Sequence, residues 1–296
     1  MDTHLTIGVI GFGVMGSGMA SNLAKHGHTI LGYSRSPEKV RALASIGIAS
    51  SSLDEIARRC DCVLLSVSDG PAVLSLLTGG NGLLGKLKPT TLVIDTTTVA
   101  PSEALQVHQE AIAHGISFLD APVTGGDVGA RNGTLTVMCG GTVETYTRAL
   151  PILEGIGKKV VHVGGPGFGQ KMKAVNQVAV ALGIVAMTEA IVFSQSQGID
   201  PAFAIETLQG GAAGSWALSH YAPRIFAGDL APGFSAEHML KDLRIALSEA
   251  RARCNLPGTE LSTELFERLT KLSRGFGNHA LLKIYPSNVQ RDPTQG

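Results

Sequence analysis

One long apolar segment constrains the fold of this chain more than any other feature. Two glycines, Gly167 and Gly169, lead into a stretch that reads as a single helix to about Ser196, and nearly every residue between 178 and 187 is apolar. A helix that is apolar on all its faces belongs in a protein core or in a membrane. Its uninterrupted apolar run is about ten residues, whereas a bilayer requires roughly 20. The segment is therefore predicted to be a core helix, with no membrane partner.

This helix also predicts how the chain is divided. Before it, short β-branched apolar runs alternate with helical patterns, which is typical of an α/β protein with a parallel, doubly wound sheet. After it, only helical patterns follow. The predicted strands are 5–11, 29–33, 62–67, 92–95, 116–120, 135–139 and 159–163. The predicted helices are 17–25, 53–59, 71–77, 101–114, 142–154, 199–208, 217–226, 235–254 and 261–272. We predict a dinucleotide-binding domain at 1–165, an interdomain helix at 166–196, and an all-helical domain for substrate and oligomerisation at 197–296.

A glycine-rich turn joins the first predicted strand to the first helix. Its sequence, Gly11-Phe-Gly-Val-Met-Gly16, is a G-x-G-x-x-G motif in strand–turn–helix context, which is typical of dinucleotide binding. The first glycine allows the tight turn, the second lets a pyrophosphate approach the backbone, and the third lets helix pack on strand. The predicted cofactor contacts are Gly11, Phe12, Gly13, Val14, Met15 and Gly16.

The end of the second predicted strand favours NADP over NAD. An NAD site places an acidic residue there to bind the ribose hydroxyls. This chain has Ser34, Arg35 and Ser36 instead. The guanidinium can stack on adenine and pair with a 2′-phosphate, to which both serines can donate hydrogen bonds. Arg35 could also be an ordinary solvated cation, and NAD remains possible.

Polar segments follow the predicted strands at the end where ligands of such sheets gather. We predict that Val67 and Ser68 contact the cofactor there. Thr124, Gly125 and Gly126 follow another strand and offer a hydroxyl and successive backbone amides, a concavity that suits a carboxylate. The alternative is a glycine-rich bend without a ligand.

The first turns of the long helix carry a cation and two amides. Lys173, Asn176 and Gln177 are spaced i, i+3 and i+4, so they share one helix face. Such groups are costly to bury unless they meet a ligand. Lys241 could reach the same site or lie on a solvated face.

Composition limits the classes of partner and compartment. The chain has 24 basic and 24 acidic residues and no run of like charge, which argues against nucleic acid and anionic membranes. Cys60 and Cys62 have no common metal-ligand spacing, so they are interpreted as buried thiols, and no metal site is predicted. The first strand begins at about Leu5, which leaves no room for a targeting peptide and predicts a cytoplasmic protein.

Four segments, in order, resemble the motifs of the β-hydroxyacid dehydrogenases, a family that includes 3-hydroxyisobutyrate dehydrogenase and the tartronate, glyoxylate and succinic semialdehyde reductases. They are residues 11–16, 120–126, 167–177 and Lys241-Asp-Leu243, and the likeness runs from about Leu5 to about Leu272. The resemblance implies a Rossmann domain joined by a long helix to an all-helical domain, in homodimers or homotetramers.

The resemblance also implies roles for particular residues. Lys173 would be the catalytic lysine, and residues 124–126 would hold the carboxylate of a small substrate. Asn176 or Gln177 would orient that substrate, Lys241 would line the cleft beside substrate and cofactor, and Thr97 would supply a cofactor-side hydroxyl. Thr124 stands where the family often has serine, and Gln177 where many members have asparagine.

The implied chemistry is hydride transfer between the nicotinamide and a short β-hydroxyacid or semialdehyde, with Lys173 as general acid or base. Burial and its place near the helix N-terminus would both lower the pKa of Lys173 toward neutrality. Because NADPH usually serves reduction, we favour reduction of glyoxylate or a small semialdehyde, with oxidation of 3-hydroxyisobutyrate as the alternative. Trp216 is expected to face the cleft, although a single tryptophan can equally be a core residue.

Three other assignments compete with this one. Imine reductases share the scaffold but generally carry another residue at the lysine position. A non-catalytic NADP-binding scaffold would typically have lost that lysine, and 6-phosphogluconate dehydrogenase is built on a much longer chain. Lys173 argues against the imine reductase and the scaffold, and the chain length argues against 6-phosphogluconate dehydrogenase.

Overall fold

The computed structural model describes residues 4–251 and 253–285. It divides into two compact units, 1–173 and 174–296, with the division inside the long helix. The strands are β1 Thr6–Ile10, β2 Thr29–Tyr33, β3 Ala49–Ser50, β4 Cys62–Leu65, β5 Leu92–Asp95, β6 Ser117–Asp120, β7 Val123–Thr124, β8 Leu135–Gly140 and β9 Gly157–Gly164. The helices are α1 Val14–Lys25, α2 Pro37–Arg41, α3 Leu53–Arg59, α4 Gly70–Leu77, α5 Pro101–Ala113, α6 Gly126–Asn132, α7 Val143–Glu154, α8 Phe168–Ser196, α9 Pro201–Gln209, α10 Trp216–His220, α11 Ala222–Phe226, α12 Ala236–Ala250 and α13 Pro257–Leu272.

The first unit is built on one sheet with the order β3-β2-β1-β4-β5-β6-β8-β7, and β9 pairs with β8. All pairings among β1 to β6 are parallel, and the direction of winding reverses between β1 and β4. Every residue of β4 and β5 is buried, as expected when helices cover both faces of a sheet. The predicted doubly wound α/β domain is confirmed.

The far edge of the sheet departs from this parallel pattern. Strand β8 runs antiparallel to both β6 and β7. Only residues 125–134 separate β7 from β8, whereas a parallel crossover needs about a dozen residues or more. Helix α7 provides such a crossover, and β9 returns parallel to β8. Among the described residues, α2, β3, α6 and β7 were not anticipated from the sequence.

The second unit is helical, as predicted, and its helices pack around one apolar cluster. The predicted helix 217–226 is in fact two helices, α10 and α11, which meet at Tyr221. Pro223 explains the break, because proline fits only the first turn of a new helix. Helix α13 begins at Pro257 rather than Leu261 for the same reason.

Helix α8 is the long helix expected from the sequence. By length and composition alone it could cross a membrane, and 44% of its most apolar window is buried inside the molecule. The exposed apolar residues of α8 in the second unit include Val175 and Phe193.

Candidate active site

The glycine-rich turn after β1 has the geometry that the motif predicts. Gly11 has a φ of +100°, and a Cβ there would lie 2.1 Å from the Ser66 carbonyl oxygen. A Cβ on Gly16 would lie 2.0 Å from the Gly11 oxygen, so the turn and the start of α1 touch directly. A Cβ on Gly13 would meet nothing within 4 Å. Two glycines thus allow backbone contact, and the third faces open space.

The start of α1 offers backbone amides to a ligand. Gly13 is the N-cap, and no side chain caps the helix. Four amides at a helix N-terminus lack intrahelical partners, which makes this end a natural phosphate site. The Phe12 side chain is buried in the core, while Val14 is half exposed. Phe12 can therefore contact a dinucleotide through its backbone only. The open space and the uncapped amides fit a dinucleotide pyrophosphate.

Residues 34–36 connect β2 to the short helix α2. The Ser34 hydroxyl accepts a hydrogen bond of 3.1 Å from the Ser36 backbone amide, which holds the turn. Arg35 is exposed. Among the residues that the structure describes, none forms an ion pair with the Arg35 guanidinium.

The loops after β4 and β5 are joined through Thr97. The Val67 backbone amide donates a hydrogen bond of 3.1 Å to the Thr97 hydroxyl. The Thr97 amide donates to Asp95 Oδ1 at 2.9 Å, and both residues are buried. Ser68 is exposed. The predicted cofactor residues Val67 and Thr97 therefore lie together at the carboxyl ends of adjacent strands.

Asp120, at the end of β6, holds the beginning of α8. Its carboxylate accepts backbone hydrogen bonds from Gly167 at 2.8 Å and from Gln170 at 3.0 Å. Burial raises the pKa of Asp120 to about 7; the two backbone donors act in the opposite direction, and nearby Asp95 raises it further. The carboxylate thus satisfies amides that a helix N-terminus leaves without partners.

Lys173 is brought to the segment that was assigned to the substrate carboxylate. The side chain is 5% exposed, and its Nζ donates a hydrogen bond of 2.9 Å to the Val123 carbonyl oxygen. The next residues, 124–126, end β7 and begin α6. Gly125 and Gly126 have φ values of +127° and +65°, so this bend requires glycine. Lys173 and the segment assigned to the substrate carboxylate, which are distant in the sequence, are therefore neighbours in space.

Gln170, one turn before Lys173, is buried and uses both ends of its amide. Its Nε2 donates to the Thr97 carbonyl oxygen at 2.8 Å. Its Oε1 accepts from the Val99 backbone amide at 3.1 Å. Gln170 therefore ties α8 to the loop that carries Thr97.

In the second unit, a chain of polar contacts leads from Asn176 to Lys241. Asn176 Nδ2 donates to Gln177 Oε1 at 2.8 Å, and Gln177 Nε2 donates to Asp242 Oδ2 at 2.7 Å. Lys241 Nζ forms an ion pair with the buried Asp242 at 3.0 Å. The three predicted residues Asn176, Gln177 and Lys241 belong to one network, and Asp242 is its centre.

Trp216 is the first residue of α10, with 44% of its surface exposed. Its indole stacks on His220 at 4.3 Å between ring centroids and meets Tyr221 edge-on. The alternative in which Trp216 is a core residue is therefore wrong. The substrate contact stays a prediction.

Sequence reasoning assigned no role to Asp120, Gln170 or Asp242. Each lies inside or beside a motif that was recognised, but each has a hydrogen-bond partner that is 50 or more residues away in the chain. One feature of the sequence did indicate close packing at this point. Gly169 precedes Gln170 at the start of a predicted helix, where a helix-forming residue would be expected. No group of three or more potential metal ligands occurs among the residues that the structure describes.

Two family descriptions together match nearly the whole chain. Residues 6–164 match the NAD-binding domain of 6-phosphogluconate dehydrogenase. Residues 167–285 match the domain described as NAD-binding of NADP-dependent 3-hydroxyisobutyrate dehydrogenase.

Individual relatives agree with these matches. An uncharacterised oxidoreductase of Synechocystis is 42% identical over 283 residues, covering 94% of this chain and 97% of the relative. The 2-hydroxy-3-oxopropionate reductase of Escherichia coli is 35% identical, covering 88% and 90%. The structure of Mycobacterium tuberculosis 3-hydroxyisobutyrate dehydrogenase with L-serine superposes with a TM-score of 0.84 at 29% identity, covering 95% and 99%.

Proposed function

Because this chain belongs to the β-hydroxyacid dehydrogenase family and is an oxidoreductase of that family, we propose that it is NADP(H)-dependent and reduces glyoxylate or a small semialdehyde. Lys173 acts as the general acid. The observation that carries the proposal is the hydrogen bond from Lys173 Nζ to the Val123 carbonyl. It holds a buried amine directly beside the segment 124–126, which offers a hydroxyl and glycine amides to a carboxylate.

The preference for NADP rests on the turn after β2. Arg35 is exposed there, and residues 34–36 include no acidic side chain to bind a ribose hydroxyl. A guanidinium pairs well with the 2′-phosphate that distinguishes NADP from NAD. The uncapped start of α1 and the open space at Gly13 accommodate the pyrophosphate.

In this proposal the protein positions the substrate and moves one proton. The nicotinamide, when bound, supplies the hydride in the reductive direction. Residues 124–126 hold the substrate carboxylate, which fixes the carbonyl group relative to Lys173. Lys173 Nζ donates a proton to the oxygen on which negative charge develops, and accepts it in the reverse reaction. The bond to Val123 orients the amine before the substrate arrives.

The role of Lys173 is tested by comparing two lysines of the same helix. Lys173→Ala should lower kcat by about 10²–10⁴-fold, the usual contribution of a general acid, and should leave NADPH affinity unchanged. Lys171→Ala is the matched control, because Lys171 lies two residues earlier and its amine sits over the Phe168 ring at 4.3 Å. It should retain the wild-type rate. A near-normal rate for Lys173→Ala would exclude the role.

The cofactor and the direction of reaction are tested with a substrate panel. NADPH and NADH are crossed with glyoxylate, succinic semialdehyde and tartronate semialdehyde. NADP and NAD are crossed with 3-hydroxyisobutyrate, serine and 3-hydroxypropionate. We expect NADPH with one aldehyde to exceed all other pairs by at least about tenfold in kcat/KM, equivalent to about 1.4 kcal/mol. Arg35→Ala should remove the preference for NADPH without slowing NADH turnover.

One observation favours the oxidative alternative. The related M. tuberculosis structure is described with L-serine, which is itself a β-hydroxy acid. If 3-hydroxyisobutyrate or serine with NADP gave the highest kcat/KM in the panel, the reductive assignment would be replaced and the role of Lys173 would become that of a general base.

The partner proposed for the second unit is another copy of this chain. Exposed apolar residues recur along α8 at intervals of three, four or seven: Val175, Ala179, Leu182, Ala186 and Phe193. This spacing is typical of a helix that packs against a second helix. Light scattering should show a dimer or tetramer that Phe193→Glu dissociates. Ile112→Glu, an equally exposed position on α5, is the control. A monomeric wild-type protein would refute the proposal.

A further inference from the structure

Three segments of the first unit meet at the first turn of α8. They are the loop after β5, the end of β6 and the glycine-rich beginning of the helix. The side chain at their junction is that of Gln170, which has no solvent-exposed surface. Its backbone amide bonds to Asp120, and its side-chain amide bonds to Thr97 and Val99.

We propose that Gln170 is a positioning residue that couples the cofactor-side loop at Thr97 to the catalytic lysine. This inference rests on the role proposed for Lys173. Both residues lie on α8, three positions apart and therefore on one face of the helix. Any displacement of the loop is transmitted to the turn that carries Lys173.

The chemistry of the junction requires an amide at position 170. Thr97 presents a carbonyl oxygen, which needs a donor, and Val99 presents an N–H, which needs an acceptor. A primary amide satisfies both at once, whereas an ionised carboxylate can satisfy only the N–H. Because the groups are buried, a partner left unsatisfied is costly, and the turn of α8 that carries Lys173 would move away from the loop.

The loop end of this connection lies in the region assigned to the cofactor. The Thr97 hydroxyl accepts the Val67 amide, so the loops after β4 and β5 move together. The helix end lies at Lys173, whose Nζ is held by Val123. Gln170 thus links the residues assigned to the cofactor with the residue assigned to proton transfer.

The first test replaces the amide by a side chain of similar length without hydrogen-bonding groups. Gln170→Met should lower kcat by about a hundredfold, the loss typical of a displacement of about 1 Å at the reacting groups. The dissociation constant for NADPH should stay within about threefold of wild type. Asn22→Leu is the matched control, because Asn22 is another buried amide that bonds to a backbone carbonyl, at the far end of α1. It should lower Tm but not kcat.

The second test uses the isosteric acid. In Gln170→Glu the protonated carboxyl can still donate to Thr97, and the ionised form cannot. The ratio of the variant's kcat to that of wild type should therefore fall at least tenfold as pH rises. The titratable groups around this position are Asp95, Asp120, Lys173 and, next to Asp120, Cys139. All are present in both proteins, so their titration largely cancels in the ratio.

The outcomes separate this inference from the proposed function. The coupling is overturned if Gln170→Met folds and keeps the wild-type kcat. It is also overturned if the ratio of the Gln170→Glu kcat to the wild-type kcat does not change with pH. Neither result affects the role proposed for Lys173. A loss of kcat in Gln170→Met accompanied by an equal loss of NADPH affinity also overturns it, since that is the result of local unfolding. If Lys173→Ala itself remains active, the proposed function fails, and the coupling fails with it.

Discussion

A single methyl group at Gly169 should damage both stability and catalysis. Gly169 lies in the first turn of α8, pressed against the sheet. A Cβ there would meet the Asp120 backbone oxygen at 2.5 Å, the Met138 oxygen at 2.6 Å and Asp120 Oδ2 at 2.7 Å. Two of these three atoms belong to the backbone of β6 and β8. They cannot move aside as the end of a flexible side chain would.

The size of the effect follows from these distances. Restoring ordinary contact at about 3.4 Å requires the turn to move by about 0.7–0.9 Å. The bonds from Gly167 and Gln170 to Asp120 would then lengthen to about 3.5–3.9 Å, beyond useful hydrogen-bonding distance. Overpacking costs about 1–3 kcal/mol, a bond to a charged group is worth about 1.5–3 kcal/mol, and alanine returns up to about 1 kcal/mol of helix propensity. With both bonds to Asp120 lost, the net loss is at least about 3 kcal/mol.

The matched control is Gly183→Ala on the same helix. A Cβ at Gly183 meets only the Ala217 Cβ, at 3.9 Å. This substitution should raise stability by about 0.4–1 kcal/mol, because alanine loses less conformational entropy on folding than glycine. Urea unfolding followed by circular dichroism gives both values. The kcat of Gly169→Ala should fall by about a hundredfold, and that of Gly183→Ala should not change.

One result would refute this reasoning. If Gly169→Ala were as stable as Gly183→Ala and retained full kcat, the beginning of α8 could not be held against β6 and β8 as described. Asp120 would then have no part in placing Lys173.

Two other predictions concern the same unit. Gly13→Ala should leave Tm unchanged, because its methyl group enters open space. The same variant should weaken NADPH binding at least tenfold, since that space is the one proposed for the pyrophosphate. Gly16→Ala should lower Tm, because its methyl group would strike the Gly11 oxygen. Isothermal calorimetry and thermal melts together check this pair, and an unaltered affinity in Gly13→Ala would contradict the proposed site. Asp120 should make the first unit less stable as pH rises, because its pKa is about 7 when folded and about 3.9 when unfolded. The contribution of Asp120 to the free energy of unfolding is complete below about pH 4 and is lost as pH rises through about 7. The total change is up to about 4 kcal/mol. Asp120→Asn should flatten that part of the profile, and an unchanged profile would show that Asp120 is not the group responsible.

Local features of the sequence predicted much of the fold. The turn after β1 was predictable because its three glycines serve contacts within one strand–turn–helix unit. Apart from the short α2 and β3, the alternation of strands and helices up to β6 was predictable because each element repeats with its own period. The antiparallel β8 was not, since its direction depends on whether the short segment containing α6 can cross the sheet.

The sequence by itself determined which chemical groups are available: the glycine-rich turn, Arg35, the glycines at 125 and 126, and Lys173 on a long helix. Only the tertiary structure decided how these groups are held. Asp120 and Gln170 lie in recognised motifs, but their roles arise from α8 amides and a loop carbonyl that folding brings to them. The role of a buried polar side chain depends on partners that are distant in the sequence, and no local sequence pattern predicts those partners.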